Sequence, residues 1–149
     1  MPEREVTGLF QNIVVTLGWL NHRLNTDSFL LGHSRQHVRI LLQLYMGGKS
    51  LLKNLAVQTD VSSPNLCAIL KTLEHDGFVL RQSDDADRRN TWYSLTPAGE
   101  KVAEKGLLEM RRRIAKLFAG LNQKDEARLA SALRVLDEIL CNIKSNYKE

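Results

Sequence analysis

The sequence predicts a mostly α-helical protein with one small antiparallel β-hairpin. Apolar residues recur at alternating steps of four and three along three long stretches, which is the period of packed α-helices. Residues 78–82 and 91–95 are rich in β-branched and aromatic residues and flank a charged segment, as paired strands do around a loop. Serine, proline and glycine signals divide the middle of the chain into short helices.

The composition is that of an ordinary globular domain. The chain has 149 residues, of which 43% are hydrophobic and 26% charged. The sequence contains no apolar run of about 18 residues, and its first residues carry both charge signs, so we expect a cytoplasmic protein without a membrane partner. Cys67 and Cys141 form no metal-binding spacing, and we expect reduced thiols and no cofactor.

The three long stretches predict helices that pack along a shared seam. Their seam residues are Val6, Phe10, Ile13, Leu17, Leu20 and Leu24; Ala103, Leu107, Met110, Ile114, Leu117 and Leu121; and Leu129, Leu133, Leu136, Leu140, Ile143 and Tyr147. A monomer of this size has little core against which to bury three seams. Residues 1–26 and 100–149 are therefore interpreted as the helical dimerisation region of a homodimer.

Cap signals predict three short helices between these ends. Ser34 is expected to cap the first, which ends at the glycine pair 47–48, and Ser50 to cap the second. Ser62 is expected to cap the third, which has a proline in its first turn and ends at Gly77.

The second and third short helices match a helix-turn-helix. The turn is predicted at residues 59–61, with Val61, Leu66 and Ile69 facing inward. In such a unit the second helix lies in the major groove of DNA, with its first residues nearest the base edges, where Asn65 suits adenine. The candidate DNA-binding residues of this helix are Ser62, Ser63, Pro64, Asn65, Cys67, Ala68, Lys71 and Thr72.

The charged loop between the strands has the position of a wing. Arg88 and Arg89 lie at its end, and arginine suits the narrow, negative minor groove beside the recognition helix. Asp87 can pair with Arg89 and direct it, and Asp84 can shape the turn through side-chain-to-backbone bonds. The alternative is a solvated turn with weak surface ion pairs.

These segments together resemble the MarR-type winged helix-turn-helix regulators. Residues 84–89 followed by 95–99 are similar to the wing signature of that family, and 61–66 with 73–79 are similar to its recognition helix. The resemblance spans nearly the whole chain as one domain, with residues 34–99 as the DNA-binding region. It implies a homodimer that binds a pseudo-palindromic operator in double-stranded DNA, usually as a repressor. It also implies release by a small aromatic or phenolic acid bound between the dimer helices and the winged domain.

Some positions depart from the family pattern. Asp85 stands where proline is frequent, Ala68 where arginine is frequent, and Cys67 where serine or threonine is common. Although the chain has a net charge of +4, residues 50–99 carry five cations and six anions. Phosphate contacts would therefore draw on cations outside that segment, for which the candidates are Arg35, Arg39 and Lys49, and the salt dependence would be shallow.

Trp19, Arg39 and Arg113 are the candidates for an effector pocket, although Trp19 in the core and Arg113 on a solvated face are the alternatives. Two other functions stay open: a redox- or metal-responsive regulator of the same fold, through Cys67 or the pair His33 and His37, and a winged-helix module that binds protein instead of DNA. No nucleophile, acid–base pair or phosphate-binding loop has usable spacing, so we expect no enzyme.

Overall fold

The computed structural model describes residues 2–24, 33–59 and 61–146. Over these ranges it contains six helices and three strands, which confirms the predicted fold class. The elements are α1 (Pro2–Leu24), α2 (Arg35–Gly47), β1 (Ser50–Leu51), α3 (Leu52–Thr59), α4 (Ser63–His75), β2 (Val79–Ser83), β3 (Thr91–Leu95), α5 (Pro97–Phe118) and α6 (Gln123–Asn146). Within the described ranges, none of the helices has the combined length and apolar character that a bilayer crossing requires.

A single apolar cluster holds the middle of the chain together. Helices α2, α3 and α4 contribute most of it, and β2, β3 and the first half of α5 complete it. Val61, Leu66 and Ile69 are buried, as the helix-turn-helix pattern predicts. The predicted turn at 59–61 includes Asp60, which lies outside the described residues. Because one face of α4 is fixed in this core, its other face is held at the surface.

The three strands form an antiparallel sheet in the order β1-β3-β2. The predicted hairpin is present, with β3 at 91–95 as expected and β2 at 79–83, one residue later than expected. The third strand was missed, and the prediction that Ser50 caps a helix is wrong. Ser50 lies in β1 opposite Tyr93, and α3 begins only at Leu52. A strand of two residues is too short to show the alternation of apolar and polar residues that predicts a strand, so Ser50 was interpreted as a helix cap.

The helix ends follow the sequence signals at most positions. The Ser34 hydroxyl accepts a bond from the His37 amide at 3.4 Å. Gly48 and Gly77 have φ of 73° and 77° after α2 and α4, the left-handed backbone that glycine adopts without strain. Ser62 has the cap position of α4, but its side chain makes no cap hydrogen bond.

The long helices expose apolar side chains within the single chain. The structure divides into two compact units, Met1–Arg111 and Arg112–Glu149. In the first unit, α1 exposes Val6, Phe10, Ile13 and Leu17; in the second, none of the residues of α6 is buried. The side chain of Leu24 and all of Tyr147 lie outside the described residues. The boundaries of the dimerisation and DNA-binding regions stay a prediction.

Candidate nucleic-acid interface

The surface of α4 presents the side chains that the sequence assigns to DNA. Its inner face buries four apolar residues: Leu66, Ile69, Leu70 and Leu73. Of the candidate DNA-binding residues, Cys67 is half-buried and the rest are exposed, namely Ser62, Ser63, Pro64, Asn65, Ala68, Lys71 and Thr72. The helix is therefore anchored on one side and polar on the other, which is the arrangement a groove-binding helix needs.

Asn65 has a partner that the sequence did not reveal. Its side-chain amide Nδ2 donates to Gln36 Oε1 at 3.3 Å, which connects the start of α4 to the start of α2. The two residues are 29 positions apart, so no local pattern indicates the contact. Further along α4, the Thr72 hydroxyl donates to the carbonyl of Ala68 at 3.2 Å. Its oxygen still has accepting capacity toward a donor outside the chain.

The wing loop is closed by hydrogen bonds within it. Asp84 N donates to Asn90 O at 3.1 Å, and Asn90 N donates to Asp87 O at 2.8 Å. The Asp84 carboxylate adds a second set, because its Oδ1 accepts from Ala86 N at 2.8 Å and from Asp87 N at 3.4 Å. The aspartate thus satisfies backbone donors that the loop would otherwise leave to solvent.

Asp87 contacts the arginine that follows it. Its Oδ1 lies 3.0 Å from Arg89 N and 3.3 Å from Arg89 Nε. The Arg89 side chain is 93% exposed, so this ion pair contributes little to the free energy of unfolding. Its consequence is geometric, since the contact restrains Arg89 at Nε and these two Asp87 contacts do not use its terminal nitrogens. Arg88, next to it, is also exposed.

Trp92 connects the wing loop to the rest of the sheet. Its indole Nε1 donates to Asp84 Oδ2 at 2.9 Å, and Lys49 Nζ lies 5.1 Å from the centroid of its ring. The pKa of the Asp84 carboxyl is held below its ordinary value, chiefly by the Trp92 hydrogen bond and then by the bond from Ala86. The sequence suggested a phosphate contact for Lys49, and no local pattern in it indicates this cluster.

The candidate effector residues lie on three helices. Trp19 is on α1, Arg39 on α2 and Arg113 on α5. Trp19 and Arg39 are exposed in the single chain, and Arg113 is half-buried. Their assignment to one pocket stays a prediction.

The histidine and cysteine candidates form no larger group. The ring centroids of His33 and His37 are 6.2 Å apart, and His33 packs edge-on against Phe78. Burial, with a smaller contribution from His33, lowers the pKa of His37. Over the ranges that the structure describes, no three His, Cys, Asp or Glu side chains are placed to hold a metal ion. Cys67 is half-buried and Cys141 exposed.

Comparison with known proteins gives one consistent family. Residues 34–91 match the model of the MarR family. The uncharacterised HTH-type transcriptional regulator YkoM of Bacillus subtilis is 28% identical over 108 residues, which cover 72% of this chain and 70% of YkoM.

Two solved structures extend the likeness to most of the chain. Wild-type apo MarR of E. coli has a TM-score of 0.74 at 19% identity, covering 85% of this chain and 94% of that one. NadR, solved in complex with 4-hydroxyphenylacetate, has a TM-score of 0.57 at 28% identity, covering 87% and 89%. The matched segment, the relatives, which are regulators rather than enzymes, and the shared fold together support a MarR-type winged helix-turn-helix transcriptional regulator.

Proposed function

We propose that the protein is a homodimeric repressor that binds a pseudo-palindromic operator and releases it when a small aromatic or phenolic acid binds. The observation that carries the proposal is the joint exposure of the polar start of α4 and of Arg89 in one compact unit. A rigid helix suits the major groove and a directed arginine suits the adjacent minor groove, so the two read different parts of one half-site.

The contacts of Asn65 support a role in base recognition. Asn65 Nδ2 donates one of its two hydrogens to Gln36 Oε1. The second hydrogen and the Oδ1 acceptor are available to pair with an adenine. Lys71 is the cation of α4, so most phosphate contacts come from elsewhere, with Arg35, Arg39 and Lys49 as candidates. Because Lys49 already faces Trp92, we expect it to contribute less than a solvated lysine.

The exposed seams support the dimer. Helices α1 and α6 carry apolar residues along their length that the single chain leaves exposed, and burying such surface drives association. An isologous dimer would present two recognition helices to two half-sites, which is why the operator is expected to be pseudo-palindromic.

The effector proposal is supported by one of the similar structures. NadR was solved with 4-hydroxyphenylacetate. For this chain, Trp19 offers an aromatic surface, and Arg39 and Arg113 offer guanidinium groups for a carboxylate. A thermal-shift screen of aromatic acids that includes 4-hydroxyphenylacetate tests this, and a hit should also release the operator. An acid that stabilises the protein without weakening operator binding would contradict the release mechanism.

The test of DNA binding uses the region upstream of the protein's own gene at two salt concentrations. Arg89→Ala should weaken operator binding by about 1–3 kcal/mol and leave the dimer and its melting temperature nearly unchanged, because Arg89 is exposed. Lys124→Ala, which removes the same charge from the start of α6, is the matched control and should bind nearly as the parent does. If Arg89→Ala binds as tightly as the parent, the wing assignment is wrong, and salt-independent or absent binding by the parent contradicts the whole proposal.

A further inference from the structure

We propose that Trp92 is a positioning residue for DNA binding, which fixes the wing by holding Asp84 at its indole nitrogen and Lys49 on its ring. The proposal rests on the proposed function, because its consequence is the direction of the wing arginine. It gives Trp92 a role that does not require the ring to touch DNA.

The two oxygens of Asp84 have separate tasks. Oδ1 accepts from the backbone amides of Ala86 and Asp87 at 2.8 and 3.4 Å, which sets the conformation of the loop. Oδ2 accepts from Trp92 Nε1 at 2.9 Å, which attaches the loop to β3. Loss of the Trp92–Asp84 hydrogen bond alone would keep the hydrogen bonds within the loop but remove this side-chain attachment of the loop to β3.

Trp92 is well placed to serve as the fixed point. It lies in the central strand of the sheet, opposite Leu51 of β1 on one side and Gln82 of β2 on the other. Lys49, between α2 and β1, places its ammonium 5.1 Å from the ring centroid. The cluster Lys49–Trp92–Asp84 therefore joins the end of α2 to the wing loop. An open cleft of about 630 Å³ borders all three side chains.

The direction of Arg89 depends on this attachment through a short path. Asp87 Oδ1 accepts a hydrogen bond from Arg89 Nε at 3.3 Å, and the backbone amide of Asp87 donates to Asp84 Oδ1. A shift of Asp84 therefore moves the carboxylate that directs Arg89. Since the Arg89 side chain is 93% exposed, little else among the described contacts restrains it.

Two variants that remove the same negative charge separate the positioning role of Asp84 from its electrostatic effect on DNA. Asp84→Asn keeps one acceptor oxygen in place of two, so it cannot serve both the loop amides and the indole N–H. In either orientation its amide nitrogen meets a donor, and the link from loop amides through Asp84 to Trp92 is broken. Removing a negative charge near DNA should by itself strengthen binding. Asp85→Asn removes the same charge from the neighbouring exposed residue, which borders the cleft but does not hold the indole. The two variants are therefore expected to change operator affinity in opposite directions.

The experiment measures operator affinity by fluorescence anisotropy, at one salt concentration, for the parent and five variants in the full-length protein, namely Trp92→Phe, Asp84→Asn, Asp85→Asn, Arg89→Ala and the double variant Trp92→Phe with Arg89→Ala. Trp92→Phe and Asp84→Asn should each weaken binding about tenfold, within the range of one lost contact, while Asp85→Asn binds as the parent or more tightly. In an Arg89→Ala background, Trp92→Phe should cause no further loss, because the group that it positions is absent. Melting temperatures identify any variant that has lost its fold, and Asp84→Asn then carries the test without altering the sheet.

Two outcomes overturn the inference while leaving the proposed function intact. One is parent-like affinity for both Trp92→Phe and Asp84→Asn. The other is an equal loss from Trp92→Phe with and without Arg89, which would mean that the ring acts on its own. A parent protein that binds no operator fragment overturns the proposed function, and this inference with it.

Discussion

Gly99 lies in the first turn of α5, against the backbone of Phe78. A Cβ at Gly99 would meet the Phe78 carbonyl oxygen at 2.0 Å and its carbonyl carbon at 2.9 Å. The same carbonyl accepts a bond from Thr96 N at 3.0 Å, and the Thr96 hydroxyl donates to Gly77 O at 2.6 Å. The segment Leu-Thr-Pro-Ala-Gly therefore joins the start of α5 to the end of α4, and its glycine is required because two backbones approach each other there.

Gly99→Ala should lower the free energy of unfolding by at least about 1–3 kcal/mol, because the obstructing atom is backbone and cannot rotate away. The matched control is Gly47→Ala in the last turn of α2, where the added Cβ meets only Gln43 Nε2 at an ordinary 3.6 Å. That change should be neutral or stabilise by up to about 1 kcal/mol. Urea denaturation at one protein concentration measures both, and equal effects would rule out the close approach.

Single residues also show where sequence reasoning ends. The contact of Asp87 with Arg89 joins residues two positions apart, and a charged loop suggests such a pair directly. The bond between Trp92 and Asp84 spans eight positions and depends on the hairpin register, and the position of Lys49 depends on β1, which was missed. Contacts that need a tertiary register are not encoded in a local pattern.

Among the elements, the helices were predicted best because their ends carry chemical signals. Proline, glycine and cap residues mark the starts or ends of α2, α4 and α5, and the period of the apolar residues marks their length. The strand β1 carries no signal of its own, since it exists only because β3 offers it a partner. Serine at a helix start and serine in a short strand cannot be told apart by residue type, so the identity of Ser50 did not decide between a cap and β1.

The starts of α4 and α5 look alike in sequence but differ in structure. Thr96 Oγ1 accepts from Gly99 N at 3.0 Å, whereas the Ser62 side chain makes no cap bond. Thr96→Ala should therefore cost about 1 kcal/mol of stability, and Thr96→Ser should retain most of it. Ser62→Ala should change stability by less than about 0.5 kcal/mol yet weaken operator binding, because its hydroxyl is available to DNA. Thermal and urea melts with a parallel binding assay measure both, and a large stability loss in Ser62→Ala would contradict the assignment.

At the scale of the whole molecule, the surface proposed to read DNA and the surfaces proposed to bring two copies together come from different parts of the sequence. The middle of the sequence holds the buried core, while the ends carry long helices with exposed apolar faces. Net charge follows the same division, because residues 50–99 have one more anion than cations and the excess positive charge lies outside them. Affinity for an operator would therefore depend on two half-sites being bound at once, and so on the dimer.

Leu133 tests that dependence. It lies on the seam of α6 and its side chain is 50% exposed in the single chain. Leu133→Asp would place a carboxylate in an apolar interface, twice in a symmetric dimer, and desolvating both carboxylates costs several kcal/mol. Sedimentation at micromolar concentration should show a monomer, circular dichroism should show that it remains helical, and fluorescence anisotropy should show that it no longer binds a two-half-site operator tightly. Ser131→Asp adds the same charge two residues away, about 200° around the helix, and should remain dimeric. If the Leu133→Asp protein is dimeric and binds like the parent, the dimer interface does not include this seam.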